Sequence, residues 1–524
     1  MHFPFQGNLF NVQFPLTEYS QNKLHFPRRP LSGLSGVVIG TAFAWNSAAT
    51  RLTRTFGNND CTVNRDTDSG WYVDAAACYF LGTSVGGLIL GPVMRMIGYR
   101  WSMIACDVIV LIGWLLLSQV DWAPVWITRL AHGIGTGGLG LLTPTYIAHI
   151  TDFRIRGRAL VFHHAFVCFG VFYAHALSAI VTDAQLTGIC MVWPVLHIIV
   201  ASFLPESPLY AYICCDDAEK TKSAMRRING VDYDVNTDYA ELERYVFEYE
   251  CLIGENKCRL VRKIIAIGVK LVVLQHTCGA SAAIFHAKSV IGGFGLTTEV
   301  AGYSDERVYA NTQTIITIVF ATQVLLCLTT VELVEFWGRK FMLNASAIGM
   351  GLCLASMMLY QSFFPTTDIC TSAIESDEWH KYVPIILVCI YLCSYSIGWG
   401  PIVALIYAEV VYFNVSTYRI FLTNSTIFDI YNKQILKHYV TAQKWYSSLI
   451  YASGQFVLFL VAYVFFDAKA LLGFNKYVMW TYIASCVISI ISVYFCVPET
   501  RALPLNRILH RQLSANYCTI TRNQ

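Results

Sequence analysis

Twelve stretches of roughly twenty residues run almost free of charge through this chain, and a stretch of that length and character crosses a bilayer as one helix. They fall at about 31 to 50, 73 to 94, 101 to 119, 123 to 148, 159 to 181 and 190 to 204, and then at about 264 to 285, 308 to 331, 341 to 361, 383 to 408, 445 to 466 and 477 to 497,. A hydrophilic middle separates six from six. Composition agrees: 14% of the 524 residues are charged and 55% are apolar, whereas a soluble domain carries about 25% charge. A large soluble enzyme is excluded. With 37 basic against 34 acidic side chains the net charge is only +3, too weak a field to hold a nucleic-acid backbone. The expected fold is an all-α polytopic membrane protein, with twelve transmembrane helices in two six-helix halves.

An even number of spans places both termini on one side, and basic residues say which. The turns after even-numbered spans carry Arg95 and Arg100, Arg154, Arg156 and Arg158, then Arg339 and Lys340, while those after odd spans hold Asp121, Asp183 and the acidic run from Asp368 to Glu378. By the positive-inside rule the termini and the middle are cytosolic, with Arg51, Arg54 and Arg65 in the first outer loop as the exception. Residues 1–30, with no apolar core, read as a cytosolic tail rather than a signal peptide. Residues 31–204 form the first half, 205–263 a cytosolic helical linker, 264–497 the second half and 498–524 a cytosolic tail. The linker alternates charges with helix formers, as in Ala240-Glu241-Leu242-Glu243-Arg244, which suits amphipathic helices under the membrane; a flexible tether is the alternative. A polar insert at about 412–440 reads as a cytosolic loop, so its sequons at Asn414 and Asn424 face away from the glycosylating side. Most of the 18 cysteines lie in apolar runs, among them Cys106, Cys168, Cys353, Cys389, Cys393, Cys486 and Cys496, where they act as small hydrophobes.

Punctuation repeats between the halves. Gly91-Pro-Val-Met-Arg95-Met96-Ile-Gly98-Tyr-Arg100 follows the second span and Glu335-Phe-Trp-Gly338-Arg339-Lys340 the eighth, while Pro205-Glu206-Ser207 ends the sixth and Pro498-Glu499-Thr500 the twelfth. Matching halves are the signature of a transporter that rocks about a site at the bilayer midplane. No nucleophile paired with a base, metal-ligand spacing, CxxC pair or phosphate loop is present, so neither an enzyme nor a metal or other cofactor is expected.

Several separated motifs carry a family resemblance. Arg129-Leu-Ala-His-Gly133-Ile-Gly-Thr-Gly137, Pro144-Thr-Tyr146-Ile-Ala-His149 and Arg156-Gly157 resemble the fourth-span signature of the sugar porter family of the major facilitator superfamily. So do Gln275-His-Thr-Cys-Gly279, Gly398-Trp399-Gly400-Pro401-Ile402 with Glu409, and the two Pro-Glu stops. Trp45-Asn46-Ser47 and Trp71 are most similar to the insect facilitated trehalose and hexose transporters. The resemblance implies transport of a hexose or disaccharide by alternating access, across the plasma membrane, by a monomer whose partners are the sugar and membrane lipid. It also implies a cytosolic ion-pair network in which acids meet the arginines at Arg129, Arg156 and Arg339. Here Arg95 and His149 stand where acids are usual and Met96 where a base is usual, while Glu335 and Glu409 are kept. The reading is a looser inner gate biased toward facing inward. Arg100, Glu206, Lys340 and Glu499 complete the gating set.

A sugar needs groups that donate and accept hydrogen bonds, plus rings to cover its apolar face, and polar side chains inside spans are the candidates. Gln275, His276 and Ser281 in the seventh span, His164 in the fifth, Gln323 in the eighth, Ser396 in the tenth and Ser448 in the eleventh are those, with Trp399 and Trp445 for stacking. For each there is a structural alternative: histidines that bridge helices, or Trp399 as a hinge-packing residue. Ala404 stands where the family often has tryptophan. Imidazole in place of amide bridges fewer hydroxyls, which predicts a profile shifted from plain glucose. Asn46 near the position of the proton symporters' aspartate favours facilitated diffusion, because an amide does not titrate. Proton symport through His149 or His164, and a non-transporting sensor or inactive paralogue, remain the alternatives.

Overall fold

The computed structural model describes residues 30–48, 65–118, 125–152, 154–215, 217–230, 234–240, 242–243, 257–292, 306–363, 382–412, 446–464, 476–497 and 499–501. The insert at 412–440 therefore lies almost wholly outside the described residues, as do both sequons, Trp445, and the side chain of Trp71.

Every described regular element is helical, as lipid requires of a chain whose backbone polar groups must be satisfied within each span. The first half comprises Ser35–Ala48, Arg65–Ile97, Tyr99–Ser118, Val125–Ile150, Arg156–Ser178, and a sixth span made of Asp183–Cys190 and Val192–Phe203. The second half comprises Lys257–Thr277 continued by Ala280–Phe285 and Ala287–Gly292, then Glu306–Trp337, Arg339–Phe363, Val383–Ile397 continued by Pro401–Ile406 and the π-helical turn Tyr407–Tyr412, Tyr446–Val464, and Lys476–Cys496. Among the described residues, eight helices are long and apolar enough to cross a membrane by composition. The glycine-rich fourth span is not among them, and its glycines show why: an added Cβ on Gly133 would lie 2.1 Å from the Tyr79 carbonyl, one on Gly137 2.2 Å from that of Thr83, and one on Gly135 2.6 Å from that of Cys106. This helix is buried between the second and third spans and is small-faced because backbones approach on two sides.

In the linker, Ala218–Asn229 is a helix capped by Asp217, whose side chain accepts from the Lys220 amide at 3.0 Å, and a second helical segment follows at 235–240.

The repeated punctuation is a repeated structure. Gly98 (φ +91°) and Gly338 (φ +84°) make the left-handed turns between spans two and three and between spans eight and nine, a conformation that costs other residues about 1–2 kcal/mol. Glu206 then accepts from the amides of Tyr99 (3.0 Å) and Arg100 (3.4 Å), and Glu499 from those of Arg339 (3.1 Å) and Lys340 (3.0 Å). Each carboxylate thus caps the exposed amides and positive dipole of a helix start. Burial pushes the Glu206 carboxyl up, against the pull of those amides.

Two seams join the halves. The second and eleventh spans meet where Ser84 Oγ donates to the Ala452 carbonyl at 2.9 Å. The fifth and eighth meet where Gln313 Nε2 donates to the His175 carbonyl at 2.9 Å and to Ser178 Oγ at 2.7 Å.

Candidate functional site

Between the halves lies a cavity of about 210 Å³, walled by spans one, two, four and five from the first half and seven, eight, ten and eleven from the second. Of the residues singled out in the sequence, His164, Gln275, His276, Ser281 and Gln323 all face it. They come from three spans, the fifth more than a hundred residues before the seventh and eighth, and the fold brings them around one cavity.

Helix breaks position the two central groups. The seventh span breaks at Gly279 (φ +86°), just after Gln275 and His276, and the tenth at Gly398–Gly400. The second break frees carbonyls, which Gln275 satisfies: its Nε2 donates to the carbonyls of Trp399 (2.9 Å) and Gly400 (3.3 Å) and to Tyr395 Oη (3.4 Å). Discontinuous helices at the midplane expose backbone and side-chain polar groups only where they line a cavity.

The other candidates sit elsewhere. Trp399 is fully buried, and its indole N–H donates to the Leu343 carbonyl of the ninth span at 3.1 Å, away from the cavity. Ser396 Oγ donates back to its own helix at Leu392, 3.1 Å away. Ser448 packs against the second span, where an added Cβ on Gly91 would touch its hydroxyl. The aromatic cover comes instead from Phe43, Tyr79 and Phe80, which line the cavity and gather around Phe285 of the broken seventh span at ring separations of 5.4, 6.0 and 4.5 Å.

Gln455 of the eleventh span was missed. Its Nε2 approaches His276 Nε2 at 3.5 Å and its Oε1 accepts from Thr83 Oγ1 at 3.2 Å, which bridges the seam between the second and eleventh spans within the cavity wall. The signal was available: it is an amide inside an apolar helix, the criterion that picked out Gln275 and Gln323.

At the end bearing the basic turns, the second half holds an ion-pair cluster of its own, and bases of the first half approach its acids. Arg339, fully buried, is gripped by Glu335 (2.8 and 3.2 Å) and lies 3.5 Å from Glu409. Arg158 reaches across to Glu332 at 2.9 Å, and Gly157 packs directly on the Glu335–Arg339 pair. Arg156 stands close enough to Glu409 to act on its charge, and its Nε donates to the Ala148 carbonyl. The two halves are therefore in contact at this end.

Arg129 does not join that network, a correction to the expected arrangement. It lies at the far end of the fourth span, about 30 Å from the basic turn by helical rise, where its guanidinium sits over the rings of Tyr79 (4.9 Å) and Trp45 (5.5 Å) and donates to the Ala42 carbonyl at 3.1 Å. Asn46 is buried one helical turn further along the first span. In the first half, Tyr99 takes the place that Arg339 has in the second, and its ring meets Tyr146, His149 and Tyr210. His149 Nδ1 pairs with Ser207 Oγ at 3.1 Å. The missing carboxylates are thus matched by a missing arginine, and an aromatic cluster replaces an ionic one. Arg100 lies over Trp101, and Lys340 Nζ donates to the Tyr494 carbonyl.

Two six-helix halves around a central cavity define a polytopic protein of the major facilitator fold. The model of the sugar (and other) transporter family matches residues 31–475, and the chain belongs to that family: it is a sugar transporter, not an enzyme. Among similar proteins, the probable metabolite transport protein CsbC of Bacillus subtilis is 21% identical over 479 residues, covering 90% of this chain and 92% of CsbC. The facilitated trehalose transporter Tret1-2 homolog of Drosophila simulans is 23% identical over 491 residues, 92% of this chain and 89% of that one. The proton:xylose symporter XylE bound to 6-bromo-6-deoxy-D-glucose superposes with a TM-score of 0.70 at 19% identity, covering 92% of this chain and 97% of XylE, a likeness of fold.

Proposed function

We propose that this chain carries a sugar, a hexose or a disaccharide, by facilitated diffusion, with the central cavity as its binding site. The observation that carries the reading is a single cavity into which both halves turn amide, imidazole and hydroxyl groups, since moving the halves then hands one sugar from side to side. His164, Gln275, His276, Ser281 and Gln323, with Gln455 and Tyr395, meet the hydroxyls, and Phe43, Tyr79 and Phe80 cover the ring. Glu335, Arg339, Glu409, Glu206 and Glu499 hold the cytosolic gate, with both termini cytosolic in the plasma membrane and the monomer as the working unit.

Facilitated diffusion is favoured because Asn46, near the position where the proton symporters of the family carry an aspartate, is an amide that neither takes up nor releases a proton at physiological pH. A pH step across proteoliposomes holding equal labelled hexose on both sides tests this. No net accumulation is expected, and accumulation driven by the proton gradient would make the protein a symporter.

A further inference from the structure

One group of side chains at the edge of the cavity, two of which line it, has a chemistry that sugar recognition does not use. His164 and Cys168 stand one turn apart on the fifth span, and Cys327 faces them from the eighth. Their ligating atoms all lie within 4.8 Å of one another. Both cysteines are buried, Cys168 at 4% and Cys327 at 0% exposure, and among the described residues both are free thiols. Cys168 faces Cys327, His164 and Ser396. His164 Nε2 is buried without an ordinary hydrogen bond.

We propose that His164, Cys168 and Cys327 form a binding site for a divalent d¹⁰ metal ion, with Zn²⁺ the natural occupant, at the seam between the fifth and eighth spans. Thiolate and imidazole are the donors such ions prefer, and three protein ligands with an open fourth position is a stable zinc arrangement. The charge decides the ion. Two thiolates and a neutral imidazole around a 2+ ion leave no net charge, the one arrangement a site inside lipid tolerates cheaply. A monovalent copper ion on the same ligands would leave a net negative charge. Binding is written Zn²⁺ plus two thiols plus imidazole, giving the neutral complex and two protons released through the cavity. Tetrahedral contact needs Zn–S near 2.3 Å and Zn–N near 2.0 Å, so the three ligand atoms would draw together from separations of up to 4.8 Å. A fourth ligand, water or a sugar hydroxyl, would complete the set from the cavity that His164 and Cys168 line,.

A bound ion ties the two halves at a seam and removes His164 from the sugar-binding set, so the site would act as a brake on transport. No spacing in sequence announces it, since 159 residues separate Cys168 from Cys327.

The test uses reduced, full-length protein in detergent, titrated with Co²⁺ as the spectroscopic probe and with Zn²⁺ in calorimetry in two buffers of different ionisation heat. One ion per chain, a thiolate-to-cobalt charge-transfer band and two protons released are expected. Cys168→Ser and Cys327→Ser should abolish the band. His164→Gln, which restores the family's amide and keeps the thiols, should weaken Zn²⁺ binding at least about tenfold. Absence of the band, or a band and affinity unchanged in Cys327→Ser and His164→Gln, would overturn the proposal.

Discussion

Gly157→Ala isolates the contact between the halves at the basic end. Gly157 opens the fifth span against the second half, and a Cβ there would lie 2.2 Å from Glu335 Oε1 and 2.7 Å from Arg339 Nη2. A free carboxylate could swing aside, but Glu335 is held by two hydrogen bonds from a guanidinium that is itself fully buried. Forcing a methyl into such a contact costs about 1–3 kcal/mol. The cost falls only on the state in which the halves meet at this end, so the equilibrium shifts toward opening there by about 5- to 150-fold. Cys168 lines the cavity and reports the change: in proteoliposomes a membrane-impermeant maleimide on the basic side should label it at least about fivefold faster. Gly188→Ala is the control, since its added Cβ meets nothing within 4 Å. Labelling of Cys168 that stays unchanged in Gly157→Ala, or rises equally in Gly188→Ala, refutes the reasoning.

Gln455→Leu removes one neutral hydrogen-bonding group from the proposed site, worth about 0.5–1.5 kcal/mol, so the half-saturating hexose concentration should rise by about 2- to 12-fold with folding intact by size-exclusion chromatography. Asp107 and His197 form a fully buried pair at 2.6 Å joining the third and sixth spans outside the cavity. Asp107→Leu should lose about 3–5 kcal/mol by denaturant unfolding, and Asp107→Leu with His197→Leu should recover most of it. The Lys220 amide holds the Asp217 carboxyl below its ordinary 3.8. Because the folded value is depressed, the cap's contribution is whole above the unfolded value and fades as pH falls through the folded one. Hydrogen exchange over Ala218–Asn229, corrected for intrinsic rates, should lose protection in that acidic range, and protection that persists through it contradicts the cap.

Span number, the halves and the doubled punctuation were legible because lipid imposes a length and an apolarity that no other solvent does, and because Gly98, Gly338, Glu206 and Glu499 act through local backbone geometry. The polar wall of the cavity was legible where an amide interrupts an apolar run, as at Gln275 and Gln323. Trp399 was not: a tryptophan between two glycines can face the cavity or a neighbouring helix, and only the tenth-span break sends its indole to Leu343. The breaks themselves hid within runs that read as continuous. Arg129 was assigned to the wrong end because motif proximity ignores the length of a 26-residue helix. The exchange of an ionic cluster for an aromatic one around Tyr99 needs both halves overlaid, and the meeting of Cys168 with Cys327 needs the packed seam.

The central claim is that both halves share one sugar site and carry it across by exchange. Counterflow tests this directly: proteoliposomes are loaded with unlabelled hexose, diluted into a trace of labelled hexose, and followed in time. A transient overshoot of internal label above the external concentration, abolished by Gln323→Leu, is the predicted result. Equilibration without overshoot for every hexose tried, or an overshoot unaffected by that substitution, would contradict the account.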